Sequence, residues 1–409
     1  MVTGAVAANS VLALRARTVL TLAGEGPARG KELFAPLKKT DNGVLVVRNG
    51  IVENALPWRE YSPPPQALVR DIGDVCLAPG CVNAHTHLNL SHLVRRAVFH
   101  RGFVAWLESL LPLLAEPVSP ESHRQTLLDA CADMAGAGTA HAGDFCGRVN
   151  VNPGIKPVHE AGRACGLELT HFCEWLGYAP PLNDGVYPWP AHCRADADSP
   201  QYGERCAPCG HSLYSTLPQT LREIRRFCSS RGKIFSFHLA ESPEEEQMLT
   251  SGDGPLRDLY ARLLPGNWRP PGLRPLDYAA ELGLLGPGTL AVHGVRLSVG
   301  DMARLAASGA ALCLCPRSNK NLGLGLPPAR ELMESGVLLC LGTDGLTSND
   351  DLDVRGEAVC LREILDLPPE ALVRLLTVNA AAALGLGNVG RLTPGSAAKF
   401  CILPESLAF

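Results

Sequence analysis

Between about residues 75 and 385 of this 409-residue chain, short apolar runs alternate with helical patterns, and that alternation restricts the fold more than any other feature. The runs are Cys76–Val82, Gly138–Phe145, Leu167–Phe172, Lys233–Leu239, Thr289–Val292, Ala310–Cys315 and Val337–Gly342, with a weaker one at Arg205–Tyr214. Helical periodicity lies between them, at Glu121–Ala137, Leu217–Arg231, Asp301–Ser308 and Pro328–Ser335. Continuous apolar strands separated by helices predict a parallel sheet covered by helices. Eight strands over roughly 310 residues predict a (β/α)8 TIM barrel with insertions. The stretches 177–208 and 250–276 are rich in Pro, Gly and charge and are expected to be long loops over the open end.

The two ends of the chain differ from the middle. Residues 11–22 and 43–52 are strand-like, Asn49-Gly50 is a hairpin signal, and 24–39 reads as loop. Residues 390–404 read as a turn plus a strand. A composite β-sandwich domain built from 1–72 and 388–409, flanking a barrel over 73–387, accounts for this pattern. Hydrophobic residues make up 46% and charged residues 19%, and the formal net charge is −4 with no long basic run, so nucleic acid is not expected as a partner. Arg15, Arg17 and Glu25 interrupt the N-terminal apolar stretch, so neither a signal peptide nor a membrane span is expected. The 15 cysteines are odd in number and sit mostly in apolar runs, which points to buried thiols in a reduced, cytoplasmic protein. Cys206-x-x-Cys209 has no second such pair, and no role is expected for it.

In a barrel of this kind the reacting groups sit at the C-terminal ends of different strands. Here those ends read His85 and His87, then His211, His238, His293 and Asp344. Taken singly each has a plain explanation: a lone His on an apolar strand is usually a hydrogen-bonded core residue, and Asp344 in Gly-Thr-Asp-Gly suits a turn. Taken together, strand ends that all terminate in metal-capable groups point to one divalent ion. His85 and His87 share a face because strand side chains alternate. Three His and one carboxylate leave a zinc-like ion with an open position for water, whose pKa falls toward neutrality. Glu241, three residues after His238, is the candidate proton shuttle.

These motifs resemble the amidohydrolase superfamily: Gly80-x4-His85-Thr-His87, Phe237-His238-Leu-Ala-Glu241, Val292-His293-Gly and Gly342-Thr-Asp344-Gly345. Cys315-Pro-Arg-Ser-Asn319 and Thr347-Ser-Asn-Asp350 are similar to the branch holding the adenosine-derivative and guanine deaminases and the triazine hydrolases. The resemblance runs from about residue 11 to 404. It implies the barrel and the terminal β-sandwich, a homo-oligomer, and one divalent metal, usually zinc and sometimes iron, on His85, His87, His238 and Asp344. It also implies that Glu241 shuttles protons, that His293 orients the attacking water or the developing oxyanion, and that Asp344 is ligand and general base together. No Lys lies near His211, so a mononuclear site is expected. His211 and Ser348 match substrate-contacting positions of the deaminases, and Trp106 matches an aromatic at their pocket rim. Where those deaminases carry a ribose-binding Glu, this chain has Leu111-Pro-Leu-Leu114. His87-Leu-Asn89-Leu-Ser91 resembles the opening of the aminofutalosine deaminases of menaquinone synthesis, with Asn89 in place of Glu. The resemblance therefore implies hydrolytic deamination of an adenine-containing nucleoside, aminodeoxyfutalosine first. The alternative is another C–N or C–Cl bond, in guanine, a chlorotriazine or a cyclic amide.

Overall fold

The computed structural model describes residues 10–147, 154–178, 188–197, 199 and 202–409. Part of the loop expected over 177–208, and residues 1–9 of the expected terminal domain, lie outside the described residues. Strands β1 (Val11–Leu20), β2 (Lys39–Arg48), β3 (Ile51–Pro57), β4 (Leu68–Asp71) and β5 (Cys76–Pro79) form the N-terminal part. Eight strands follow: β6 (Cys81–Thr86), β7 (Thr139–Cys146), β8 (Glu168–Trp175), β9 (Cys206–Gly210), β10 (Phe235–Leu239), β11 (Thr289–His293), β12 (Ala311–Leu314) and β13 (Leu338–Leu341). A last strand, β14 (Phe400–Ile402), closes the order.

One six-stranded sheet takes members from both ends of the chain, in the order β14-β5-β1-β2-β3 with β4 also on β1. Asn49 and Gly50, both at positive φ, make the turn between β2 and β3, as the dipeptide predicts. The apolar run at Cys76–Val82, expected as one strand, is two strands in two sheets. β5 pairs antiparallel with β14, and Gly80 donates its N–H to Lys399 O at 2.8 Å. The next residue, Cys81, donates to Gly138 O and belongs to the barrel. Gly80 permits this crossing: a Cβ there would come within 2.7 Å of Ala140 Cβ.

The eight central strands form two parallel arcs, β6-β7-β8-β9 and β10-β11-β12-β13. Hydrogen bonds join the arcs at both seams. His238 N–H donates to His211 O at 2.8 Å, and Asp344 N–H donates to His85 O at 3.1 Å. Asn83 strengthens the second seam, donating to Thr343 Oγ1 and accepting from Thr343 N–H. The result is the expected barrel. Its helices fall close to the sequence reading, at Pro120–Gly136, Pro218–Ser230, Val299–Ser308 and Ala329–Ser335. The first three start on a local signal: Pro in the first turn after Ser119 or Leu217, or the Ser298–Asp301 capping box. The core is apolar on both faces of the strands, with β10 to β13 buried at every position. No helix among the described residues is long and apolar enough to cross a membrane.

Candidate active site

The strand alternation aims one set of side chains inward at the C-terminal rim. His85 and Phe145 meet edge to face at 4.2 Å, and Phe145 packs on Phe172 at 4.8 Å, so these residues share the interior. At the same rim His238 Nε2 lies 3.3 Å from His85 Nε2. Asp344 Oδ1 lies 3.4 Å from His85 Nε2 and 3.5 Å from His87 Nε2. A tetrahedral shell with donors about 2.0–2.2 Å from its centre has edges of about 3.3–3.6 Å. His85, His87 and His238 offer ligand atoms within 4.8 Å of one another, and Asp344 Oδ1 meets two of them at such edge lengths, so the set is a candidate site for one divalent cation. Their protonation suits it as well. Burial lowers the pKa of His85 and pushes that of His238 well below the usual range, which keeps both imidazoles neutral. His238 uses Nδ1 to donate to His211 O at 2.6 Å, leaving the Nε2 lone pair free. Burial alone would raise Asp344, but its contact with His85 and the ring of imidazoles around it, His87 and His293 included, hold it well below the usual carboxylate range.

Backbone strain sharpens the aim. Ala240, His293 and Asp344, at or just past three strand ends, have φ of 52°, 78° and 59°. Non-glycine residues there cost on the order of 1–2 kcal/mol each. The local network holds these conformations. Asp344 Oδ2 accepts from Ser318 Oγ and Ser348 Oγ, both at 2.7 Å, so only Oδ1 is left to face the cavity. Asn319 donates to His293 Nδ1 at 3.2 Å, which places the ring proton on Nε2, 3.5 Å from Glu241 Oε1. Burial lowers His293 to about 3. Glu241 is pushed well above the usual range, first by burial and then by the charge of Asp344, a shift that favours its acid form. Its own N–H donates to Glu245 Oε2 at 2.7 Å, which fixes the loop after β10.

A pocket opens from this floor. His87, His211, His238, Glu241, His293 and Asp344 line its polar end. Helix α1 (Phe103–Leu114) forms the opposite wall with Phe103, Trp106, Leu107, Leu110, Leu111 and Leu114. The sequence-derived residues thus converge, with two qualifications of position. Ser348, expected at the substrate, is fully buried behind Asp344 and does not line the pocket. Trp106 does line the pocket, but its indole N–H is already given to Thr347 O at 2.7 Å, so only its ring is offered. His211 points its Nε2 inward because Nδ1 is tied to Ser215 Oγ at 2.6 Å. Three features escaped the sequence reading. Ser318 and Asn319 were visible in a motif, but without roles. Glu174, on β8, gave no signal beyond being a lone acid in an apolar run. The wall of α1 could not be separated from an ordinary core helix. Cys206 and Cys209 join different clusters on opposite faces of β9.

The barrel, the inward donors and the acid beside them define a metal-dependent hydrolase, and the comparisons agree. The amidohydrolase family model matches residues 204–408, and the chain belongs to that family, hydrolases of carbon–nitrogen bonds that work with a divalent metal. The chain is 30% identical to a 5-methylthioadenosine/S-adenosylhomocysteine deaminase of Halobacterium salinarum, over 81% of this chain and 74% of that protein. It is 29% identical to an aminodeoxyfutalosine deaminase of Deinococcus radiodurans, over 87% and 83%. The crystal structure of Helicobacter pylori aminofutalosine deaminase with methylthio-coformycin superposes with a TM-score of 0.77 at 19% identity, over 95% of this chain and 91% of that one, and shares the fold.

Proposed function

We propose that this protein is a hydrolytic deaminase of an adenine-containing nucleoside whose 5′ end carries an apolar group. One observation carries the reading: a candidate donor set for one cation and a buried Glu241 share a pocket with a wall of six apolar side chains from α1. His85, His87, His238 and Asp344 would hold the ion, zinc first and iron second. When bound, it supplies Lewis acidity and makes water a nucleophile near neutral pH.

The chain's own residues then divide the proton work. Asp344 Oδ1 takes a proton from the attacking water, and Oδ2 stays pinned by Ser318 and Ser348. Glu241 gives its proton to the ring nitrogen beside the carbon under attack. His293 presents Nε2–H to the oxygen that gains negative charge. The proton held by Asp344 passes to the amino group, ammonia leaves as the 6-oxo product forms, and the hydroxyl proton released in that step returns to Glu241. His211 and the Trp106 ring hold the base. Aminodeoxyfutalosine, which would place the enzyme in menaquinone synthesis, and methylthioadenosine both match the apolar wall.

The sequence-derived division also stands as a proposal: a terminal domain over 1–72 and 388–409, and a barrel over 73–387. The six-stranded sheet would then be part of a composite β-sandwich whose edge runs to Gly80, because β5 pairs within that sheet. A homo-oligomer and a cytoplasmic location remain part of this proposal.

A second reading rests on Leu111 and Leu114, which put no acceptor on the α1 wall. A substrate without ribose hydroxyls, such as guanine or a chlorotriazine, suits that wall. Ammonia release by the zinc- or iron-loaded protein separates the two. The panel holds aminodeoxyfutalosine, methylthioadenosine, adenosylhomocysteine, adenosine and guanine. Turnover of the 5′-extended nucleosides is expected. Turnover of guanine alone, or chloride release from a chlorotriazine with silence on every nucleoside, would move the assignment to the second reading.

A further inference from the structure

Among the described residues that line the pocket, Glu174 is the carboxylate with a buried oxygen, Oε1, that has no hydrogen-bond partner. Asp344 has both oxygens engaged, one facing His85 and His87 and one bonded by two serine hydroxyls. Glu241 faces His293. Glu174 projects inward near the end of β8, two residues after Phe172, and is 7% exposed. Its Oε1 is buried with no hydrogen-bond partner. Its Oε2 rests against Gly147, where a Cβ would come within 2.9 Å, so Gly147 makes room for the carboxylate in the pocket. A buried carboxylate oxygen left unpaired is costly, and such atoms in native proteins have a partner that arrives by another route.

A second cation is not that partner. Glu174, His211 and His238 do offer atoms within 4.8 Å of one another. But His238 Nδ1 is committed to His211 O, and its Nε2 faces His85 in the first donor set. Only Glu174 and His211 remain, fewer than the three protein ligands of a catalytic zinc site. A donor on the substrate fits this place. The α1 wall provides no acceptor, since five of its six pocket residues are hydrocarbon and the indole N–H of Trp106 is a donor already used. Any hydroxyl buried between α1 and β8 has Glu174 as its available carboxylate.

We propose that Glu174 is the residue that binds the sugar: its two oxygens accept hydrogen bonds from the 2′ and 3′ hydroxyls of the nucleoside, beside His211. The assignment rests on the nucleoside reading above. It makes Glu174 a specificity-determining residue, separate from the groups that move protons. A vicinal diol matches a carboxylate because two parallel O–H donors meet two acceptor oxygens.

The test measures kcat/KM for methylthioadenosine and for aminodeoxyfutalosine, each beside its 2′,3′-dideoxy counterpart, with wild-type, Glu174→Gln and Glu174→Ala enzymes of measured metal content. Wild type is expected to favour the diol by about 10- to 100-fold, the range of one charge-assisted hydrogen bond. In Glu174→Ala that preference collapses to within a few-fold, through loss on the diol substrates in KM more than in kcat. Glu174→Gln, which keeps one acceptor, falls between. Metal content stays at the wild-type value in both variants. An unchanged diol preference in Glu174→Ala overturns the proposal, as does an equal loss on diol and dideoxy substrates or a loss of metal. Wild-type silence on both nucleosides is a different failure: it sinks the nucleoside reading itself.

Discussion

Among the described residues, metal-capable side chains gather on both faces of the barrel wall, and the two sets differ in kind. The inner cluster is His85, His87, His238 and Asp344. The outer one is Asp144, Cys146 and His171, from β7 and β8. Donor spacing does not separate them: Cys146 Sγ is 2.9 Å from Asp144 Oδ2, and His171 Nδ1 is 3.5 Å from the same oxygen. What separates them is engagement and access. Asp144 Oδ1 accepts from Leu88 N–H at 3.0 Å, His171 Nε2 meets His159 Nδ1 at 3.3 Å, and all three outer residues are buried away from the pocket. The inner donors keep their lone pairs turned to a cavity. Similar residue types on the same strands therefore do different work. The outer group locks the strand ends, including the backbone next to His87, and the inner group is left free to bind.

That contrast can be broken most directly by metal content. His238→Ala is expected to abolish both bound metal and turnover, whereas Cys146→Ala keeps one ion per chain and most of its activity. A stoichiometry of two in wild type that drops to one in Cys146→Ala would make the outer cluster a metal site after all. Next in size is Glu241→Gln. It removes the transferable proton without touching a ligand, so kcat should fall by about 10²–10⁴-fold with metal retained. Full activity in that variant would sink the proton assignment.

A smaller effect is expected behind the ligands. Ser348→Ala removes one of two hydroxyl donors to Asp344 Oδ2 and should weaken metal affinity or activity by roughly 10–100-fold. Titration against a chelator measures it, and an unchanged affinity would mean that Ser318 suffices. The smallest effect concerns an acid that is buried but does not face the cavity. Burial pushes Glu245 up to about 7 from an ordinary 4.5. The folded state then binds more protons than the unfolded one between those two values, so this residue's contribution to stability falls as pH rises through that window. Glu245→Gln should match wild type near pH 4.5 and exceed it at pH 8 by up to roughly 3 kcal/mol. Thermal melts at both pH values check the sign. A variant less stable at pH 8 would mean that the carboxylate bond to Glu241 N–H outweighs the cost of burial.

The sequence by itself determined the barrel and the positions of the candidate donors at its strand ends. Apolar runs alternating with helices leave few other topologies, and a strand period of two puts His85 and His87 on one face. Functional groups at strand ends are local facts, so His238, Glu241, His293 and Asp344 could be named from their own strands. What only the tertiary structure decided are relations between distant segments. The run at Cys76–Val82 carries no mark of the sheet change at Gly80, because the bond that makes it comes from Lys399. Ser348 looked like a substrate contact until Asp344 turned back onto it. The leucines of α1 carry helical periodicity in either setting, and only packing beside the pocket makes them a substrate wall. Glu174 reads as an acid in an apolar strand. Its meaning comes from burial beside His211 and from an oxygen with no partner, and neither is written in the chain's local order.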